Sequence, residues 1–209
     1  YKYNEELERR GIKCCVFNQF RPVWSAKMNN RDHRKILVID GHTAFTGGIN
    51  LADEYINEKQ KYGKWKDSAV MLQGEGVWSF TVMFLSMWNY LTGNHMEDID
   101  KYRPIPDEIA DFHDEGVVVP FTDSPLDEEP VGENVYLNII NSAEDYVYIT
   151  TPYLIIDNEM QTALILAAKS GVDVRIITPH IPDKKAVFAV TRAHYRNLLR
   201  YGVKIYEYL

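Results

Sequence analysis

The feature that most constrains the fold of this sequence is a strand–helix–strand pattern in its last third. Residues 146–150 read YVYIT and predict a strand, and residues 158–169 predict a helix that ends at Gly171. Residues 172–178 predict a second strand, which is almost continuously apolar. A crossover of this length joins strands that pair in parallel. The pattern therefore predicts an α/β fold.

The two ends of the chain share a second pattern, a helix end followed by a glycine and a strand. Residues 7–17 read LERRGIKCCVF and residues 198–208 read LLRYGVKIYEY, so Gly11 aligns with Gly202. The alignment indicates an internal repeat. Both copies predict a strand after the glycine, which in the first copy covers residues 12–17.

The middle of the chain predicts one helix and then a boundary. Residues 77–91 carry apolar side chains all round and predict a buried helix. Residues 93–134 are rich in Asp, Glu, Pro and Gly and predict loops around a short strand at residues 117–119. We place a domain boundary there, which divides the chain into residues 1–115 and residues 116–209.

Composition argues against a nucleic-acid substrate and against a membrane span. The formal net charge is −7 and the pI is about 5.4, whereas nucleic-acid-binding proteins usually carry a basic surface. No apolar run approaches the roughly 18 residues that cross a bilayer. The cysteines Cys14 and Cys15 are adjacent, so we expect free thiols rather than a disulfide.

The chemistry-bearing segment is a predicted hairpin. Residues 35–39 predict a buried strand, Asp40–Gly41 a tight turn, and residues 43–46 the returning strand. Because side chains alternate along a strand, His33 and Lys35 point the same way and Asp40 points to the other face. A nucleophile or base is thus predicted beside a fixed cation.

The end of the returning strand completes a candidate anion site. Gly47 and Gly48 leave the backbone open to close approach, and Asn50 is a neutral donor. A lone histidine beside a strand is more often structural, but Lys35 at the head of an apolar strand requires an anionic partner. His33, Lys35, the two glycines and Asn50 together suit a phosphate.

This run, His33-x-Lys35-x4-Asp40-x6-Gly47-Gly48-x-Asn50, resembles the HKD signature of the phospholipase D superfamily. Three longer stretches resemble bacterial cardiolipin synthases, namely NNRDHRKILVIDGHTAFTGGINLADEY, WKDSAVMLQGEGV and YITTPYLIIDNEMQTALILAAKSGVDVRIITP. The resemblance implies a phospholipase D-like mixed sheet flanked by helices. Family members carry a second HKD motif after a GVKIYEY-like strand, so the chain is expected to be an internal fragment with two incomplete repeat units, cut before the second motif.

The resemblance also implies roles for individual residues. His33 would be the nucleophile that forms a phosphohistidine, and Asp67 would accept a hydrogen bond from it. Lys35 and Asn50, with the backbone of residues 47–48, would hold the phosphate oxygens. Asp40 belongs to the catalytic motif and is expected to act structurally. No metal and no cofactor are expected.

The implied reaction joins two phosphatidylglycerol molecules into cardiolipin and releases glycerol. The expected partners are this anionic phospholipid and the membrane surface, not nucleic acid. The parent enzyme would be a phosphatidyltransferase of the bacterial inner membrane, and the isolated fragment would be soluble and inactive.

Two alternatives stay open at this point. One is a phospholipase D-type phosphodiesterase that hydrolyses lipid or nucleic-acid phosphodiesters with water as the acceptor. The other is a catalytically dead binding module, against which a homodimer with facing His33 residues would argue. Residues 150–153, at the end of a predicted parallel strand, are a further candidate for the pocket lining.

Overall fold

The computed structural model of the 209-residue chain describes residues 3–18, 32–93, 98–105, 116–123 and 129–209. The chain folds into two compact units. The first unit consists of Tyr1–Leu51 and Asp67–Phe121, and the second of Ala52–Lys66 and Thr122–Leu209. Within these described ranges, each unit contains one three-stranded sheet.

The first unit is built on an antiparallel sheet of strand order β1-β2-β3. Strand β1 turns tightly into β2, and the register pairs Leu37 with Phe45 and Phe45 with Met71. Helix α2 contacts β1 and β2. The elements of this unit are α1 (Tyr3–Arg9), β1 (Ile36–Ile39), β2 (Thr43–Gly47), β3 (Ala69–Gln73), α2 (Val77–Thr92) and a 3₁₀ turn (Asp100–Tyr102).

The second unit is built on a parallel sheet of strand order β4-β5-β6. Helix α4 connects β4 to β5, and the side chain of Asp157 caps its first turn by accepting a 2.8 Å hydrogen bond from the Met160 amide. The elements of this unit are α3 (Val131–Asn141), β4 (Tyr146–Thr150), α4 (Asn158–Lys169), β5 (Asp173–Pro179), α5 (Lys185–Arg200) and β6 (Lys204–Tyr208).

The predicted strand–helix–strand pattern is confirmed. Strand β4 and helix α4 have the predicted bounds, β5 begins one residue later than predicted, and the two strands are parallel. The apolar side of the sheet packs against the helices in one continuous core. That core contains Ile140, Val147, Leu154, Ala163, Leu164, Ala167, Val172, Val174, Ile176, Leu198 and Val203. The α/β fold class is therefore confirmed, with antiparallel and parallel pairing divided between two sheets.

Two predictions of burial in the first unit are wrong. Strand β1 alternates between half-buried and exposed positions, and Leu37 is 55% exposed, because α2 covers one side of the sheet while these alternate residues point away from that side. Helix α2 was predicted to be buried, but Phe84 and Tyr90 are exposed. Its buried side chains are Val77, Thr81 and Leu85. An apolar sequence on both faces does not by itself place a neighbour on both faces.

Two predicted strands are absent from the described residues. Residues 12–16 have no strand partner, and neither do residues 117–119, whose valines are exposed. Both segments have strand-forming side chains. A strand also requires a neighbouring backbone to complete its hydrogen-bond ladder, and the described part of the chain provides none there.

The helix–glycine part of the end-to-end alignment has the same geometry in both copies. The Ile12 amide donates to the Leu7 carbonyl at 3.0 Å, and the Val203 amide donates to the Leu198 carbonyl at 3.2 Å. Both aligned glycines have positive φ, +81° and +97°, as this helix-ending motif requires. The copies differ after the glycine, where only the second continues into a strand. None of the described helices is long and apolar enough to cross a membrane.

Candidate active site

The HKD motif lies on the β1–β2 hairpin of the first unit. The His42 amide donates to the Ile39 carbonyl at 3.2 Å, and the two residues between them, Asp40 and Gly41, have φ of +50° and +75°. Two positive φ angles define the hairpin turn that matches the twist of the strands. A Cβ atom at Gly41 would lie 2.5 Å from the Tyr102 carbonyl oxygen, so this turn accepts only glycine there. Asp40 is exposed in the turn.

His33 and Lys35 are in direct contact just before β1. Lys35 Nζ lies 3.0 Å from His33 Nδ1 and donates to the His33 carbonyl oxygen at 2.6 Å. An ammonium group has only protons to offer, so Nδ1 is the acceptor and the proton of the neutral imidazole lies on Nε2. The predicted pairing of these two side chains on one side of the chain is therefore present in the structure.

Burial lowers the pKa of the Lys35 ammonium, because the charged form loses hydration. The negative charges of Asp67 and Asp32 act in the opposite direction and raise it. Asp67 is thus close enough to interact with the Lys35 ammonium, although 31 residues lie between the two along the chain. The pKa of Lys35 therefore depends on Asp32, in the same segment of the chain, and on Asp67, in a different segment.

The glycine pair at the end of β2 makes room for Asp67. A Cβ atom at Gly48 would lie 2.3 Å from Asp67 Oδ1, and one at Gly47 would lie 2.4 Å from the Ser68 carbonyl oxygen. The Gly48 amide donates to that same carbonyl at 3.2 Å, and Asp67 Oδ1 accepts a 2.8 Å hydrogen bond from the Ser68 amide. The sequence suggested that the glycines let a ligand approach. The structure shows that they let the Asp67 carboxylate approach.

Asp32 and Arg34 form an ion pair beside the motif that the sequence reading missed. Arg34 Nη2 lies 2.7 Å from Asp32 Oδ2, and the hydrogen bond from Arg34 holds the pKa of this carboxyl below its usual range. The signal was present in the sequence, since an acidic and a basic residue lie two positions apart in Asp32-His33-Arg34-Lys35. Residues two apart share a side, so Asp32 pairs with Arg34 while His33 pairs with Lys35.

The remaining predicted site residues are placed as follows. Asn50 is half-buried three residues after the end of β2. Tyr153, from the predicted pocket lining, lies in the second unit, where its hydroxyl donates to Asp183. The sequence reading did not single out Asp183, although an acidic residue just after a parallel strand is a signal that could have found it.

One surface groove of the first unit does not contribute to this site. A surface groove of about 260 Å³ is lined by the residues after α1, including Cys14 and Cys15, and by Trp88. It contains none of the motif residues. Within the described ranges, no group of three or more His, Cys, Asp or Glu side chains could hold a metal ion.

Comparison with known proteins covers the whole chain. A family model described as "Cardiolipin synthase, PLD-like domain" matches residues 136–209. Cardiolipin synthases of Geobacillus sp. (strain WCH70) and Halalkalibacterium halodurans are 38% and 36% identical to this chain. Each match covers 99% of this chain and 41% of the relative's own length. A Streptococcus mutans protein that is named only as uncharacterized is 54% identical over all of this chain and 44% of its own length.

Residues 136–209 thus match a phospholipase D-like domain, and the whole chain is similar to cardiolipin synthases. The HKD resemblance lies in residues 33–50, and the family model matches a different part of the chain, so the two assignments are independent. The chain spans less than half the length of the curated relatives that it matches. Its relatives at 36–38% identity are cardiolipin synthases, which confirms the family that the sequence motifs indicated.

Proposed function

We propose that this chain is part of a phosphatidyltransferase that joins two phosphatidylglycerol molecules into cardiolipin and glycerol. The observation that supports it best is the contact of His33 with Lys35 just before β1, together with the charge of Asp67, just before β3, that acts on Lys35. A histidine, a cation and a carboxylate are the groups that phosphoryl transfer through a phosphohistidine requires. The anionic phospholipid would be met at the surface of the bacterial inner membrane.

In the proposed reaction, a ring nitrogen of His33 attacks the phosphorus of the first lipid. The bond from phosphorus to the glycerol oxygen breaks, glycerol leaves with a proton, and the phosphatidyl group stays on His33. A hydroxyl of the second phosphatidylglycerol then attacks phosphorus, and the bond to His33 breaks. Proton donation to glycerol and proton removal from the second lipid need a general acid and base. We assign that task to a second HKD motif outside these 209 residues, so the isolated chain is expected to be inactive.

Lys35 has two tasks in this proposal. Before substrate binds, its ammonium group is held by His33 Nδ1 and by the His33 carbonyl oxygen. A phosphate oxygen competes for the same ammonium protons and draws them away from the imidazole. Binding of the anion therefore frees Nδ1. The single imidazole proton can then move through solvent from Nε2 to Nδ1, where Asp67 accepts a hydrogen bond from it, and the unprotonated Nε2 attacks. Asn50 and the backbone of residues 47–48 are proposed to hold the remaining phosphate oxygens.

Asp40 has a structural role in the same proposal. Its position in the turn with positive φ fits a residue that shapes the hairpin rather than one that touches substrate. The residues before and after about position 115 are proposed to be two repeat units of this superfamily, which the matched helix–glycine geometry at Gly11 and Gly202 supports.

The test is a lipid assay of the full-length protein with phosphatidylglycerol vesicles and mass spectrometry of the products. We expect His33→Ala to lower cardiolipin formation by about a thousandfold or more, because it removes the nucleophile. Lys35→Met should lower it by about a hundredfold, because it removes the charge that stabilises the transition state. His42→Ala is the matched control, since His42 lies on the same hairpin with its Nδ1 2.9 Å from Thr43 Oγ1.

The products separate the proposal from its alternative. Cardiolipin and glycerol that disappear together in His33→Ala support the transferase. Phosphatidic acid without cardiolipin, also lost in His33→Ala, would mean that water is the acceptor and that the protein is a hydrolase. A His33→Ala protein that still forms cardiolipin at the wild-type rate would refute both.

A further inference from the structure

The loop that joins two of the proposed site residues folds with the other unit. Asn50 and Asp67 belong to the first unit, but the residues between them, Ala52–Lys66, cluster with Thr122–Leu209. The loop is therefore continuous in sequence with both site residues, while its own residues belong to the second unit.

The loop has a small framework of its own. Asn57 Oδ1 accepts a 2.7 Å hydrogen bond from the Trp65 amide, and Asn57 Nδ2 donates to the Trp65 carbonyl at 3.0 Å. The rings of Tyr55 and Tyr62 lie 4.5 and 6.4 Å from that of Trp65. Two hydrogen bonds and three aromatic rings thus close the loop into one body.

This body meets the carboxyl ends of β4 and β5. The Tyr153 hydroxyl, just after β4, donates to Asp183 Oδ2, just after β5. Gly63 of the loop lies against Ile181, whose Cδ1 would be 3.4 Å from a Cβ atom placed on that glycine. Lys184 Nζ lies 5.2 Å from the centre of the Tyr153 ring.

The titration behaviour of Tyr153 agrees with this packing. Burial and the hydrogen bond to Asp183 raise the pKa of Tyr153 to about 12, and Tyr55 and Tyr62 of the loop contribute to the shift. The phenol therefore stays protonated, and able to donate to Asp183, at every pH below about 10. The loop tyrosines raise this pKa only because they lie near Tyr153.

We propose that Tyr153 and Asp183 are positioning residues for the HKD site, which act by holding the loop Ala52–Lys66 and through it Asn50 and Asp67. The hydrogen bond fixes the surface on which the aromatic body of the loop packs. When the bond is lost, the loop loosens and both of its ends gain freedom. The consequence for catalysis rests on the proposed function, whereas the mechanical link does not.

The first test is limited trypsin digestion of the 209-residue chain, because the loop contains four lysines, Lys59, Lys61, Lys64 and Lys66. We expect Tyr153→Phe to speed cleavage at these lysines about threefold to tenfold, since it deletes the hydrogen bond to Asp183 and leaves the ring. Tyr148→Phe is the matched control, because the Tyr148 hydroxyl also donates to a carboxylate of the second unit, Asp173, at 3.0 Å. Asp183→Asn, at an exposed position, repeats the test from the acceptor side.

The second readout is the backbone amide NMR signals of Asn50 and Asp67 in the same proteins. The proposal requires both signals to shift or broaden in Tyr153→Phe and to stay in place in Tyr148→Phe. Faster cleavage with unchanged Asn50 and Asp67 signals would overturn it, because the loop would then be stabilised without being coupled to the site. Loop cleavage within about twofold of wild type in both Tyr153→Phe and Asp183→Asn would overturn it as well. Neither readout measures lipid turnover, so failure here is distinguishable from failure of the proposed function.

Discussion

The antiparallel sheet of the first unit and the parallel sheet of the second differ in how much apolar surface they bury. Among the described residues, the buried apolar side chains of the first unit are Ala44, Val77 and Leu85. The second unit has one connected core of eleven. The unit with the small core contains the HKD residues and Asp67, and the unit with the large core contains the loop between Asn50 and Asp67. The comparison teaches that in this chain the candidate chemistry and most of the core burial lie in different units.

The largest expected difference between the units concerns their apolar side chains. We expect Ile176→Ala in β5 to lower the free energy of unfolding by about 2–5 kcal/mol, because Ile176 is fully buried. Leu37→Ala in β1 should cost less than about 1 kcal/mol, since its side chain is more than half exposed. Urea unfolding followed by circular dichroism measures both. Similar losses of unfolding free energy in the two variants would contradict the expected difference between the two units.

A smaller difference is expected for two glycines with positive φ. Gly41→Ala places a methyl group 2.5 Å from the Tyr102 carbonyl oxygen in addition to the backbone strain at φ +75°. We expect it to cost about 2–3 kcal/mol, against about 1–2 kcal/mol for Gly171→Ala. Gly171 has φ +99° but no atom within 4 Å of the added carbon. Thermal unfolding of the two variants provides the measurement, and equal melting temperatures would show that the contact with Tyr102 is not rigid.

The smallest expected effect is electrostatic. Hydrogen bonds from Arg175 and Lys204 hold the pKa of Asp173, on the open side of the parallel sheet, below its ordinary value of 3.8. A depressed pKa means that the carboxylate stabilises the fold above pH 3.8 and that this contribution is lost as the pH falls through the folded-state pKa. Asp173→Asn should therefore lower the urea midpoint slightly at about pH 5 and have less effect at about pH 2.

Asp32 of the first unit provides a second test of this electrostatic effect. Its pKa is also depressed, chiefly by a hydrogen bond from Arg34. Asp32→Asn should show the same sign of pH dependence as Asp173→Asn, with a smaller amplitude because Asp32 has one cationic hydrogen-bond partner and Asp173 has two. A larger pH dependence for Asp32→Asn would contradict this order.

Local sequence determined the elements that were predicted well. The helix Asn158–Lys169 lies between an acidic cap and a glycine, and the Asp40–Gly41 turn has the residue types that two positive φ angles require. The contact of His33 with Lys35 follows from a spacing of two residues. Each of these features depends on neighbours within a few positions, which the sequence displays directly.

The features that were missed depend on distant residues. The strand predicted at residues 117–119 has no ladder partner among the described residues, and the exposure of Leu37 depends on which side of the sheet α2 covers. Asp183 contacts Tyr153, thirty residues earlier, because Tyr153 follows the end of the neighbouring strand β4. The spacing of residues along one chain does not reveal such pairs, because strand order is decided by packing.

The loop Ala52–Lys66 also decides how this chain can be divided. Residues of the second unit occur both before and after the segment Asp67–Phe121 of the first. A single cut, wherever it is made, therefore leaves part of one unit attached to the other. To exchange one unit between relatives, a gene would need junctions after Leu51, before Asp67 and after Phe121. Recombination therefore cannot move either unit in a single step.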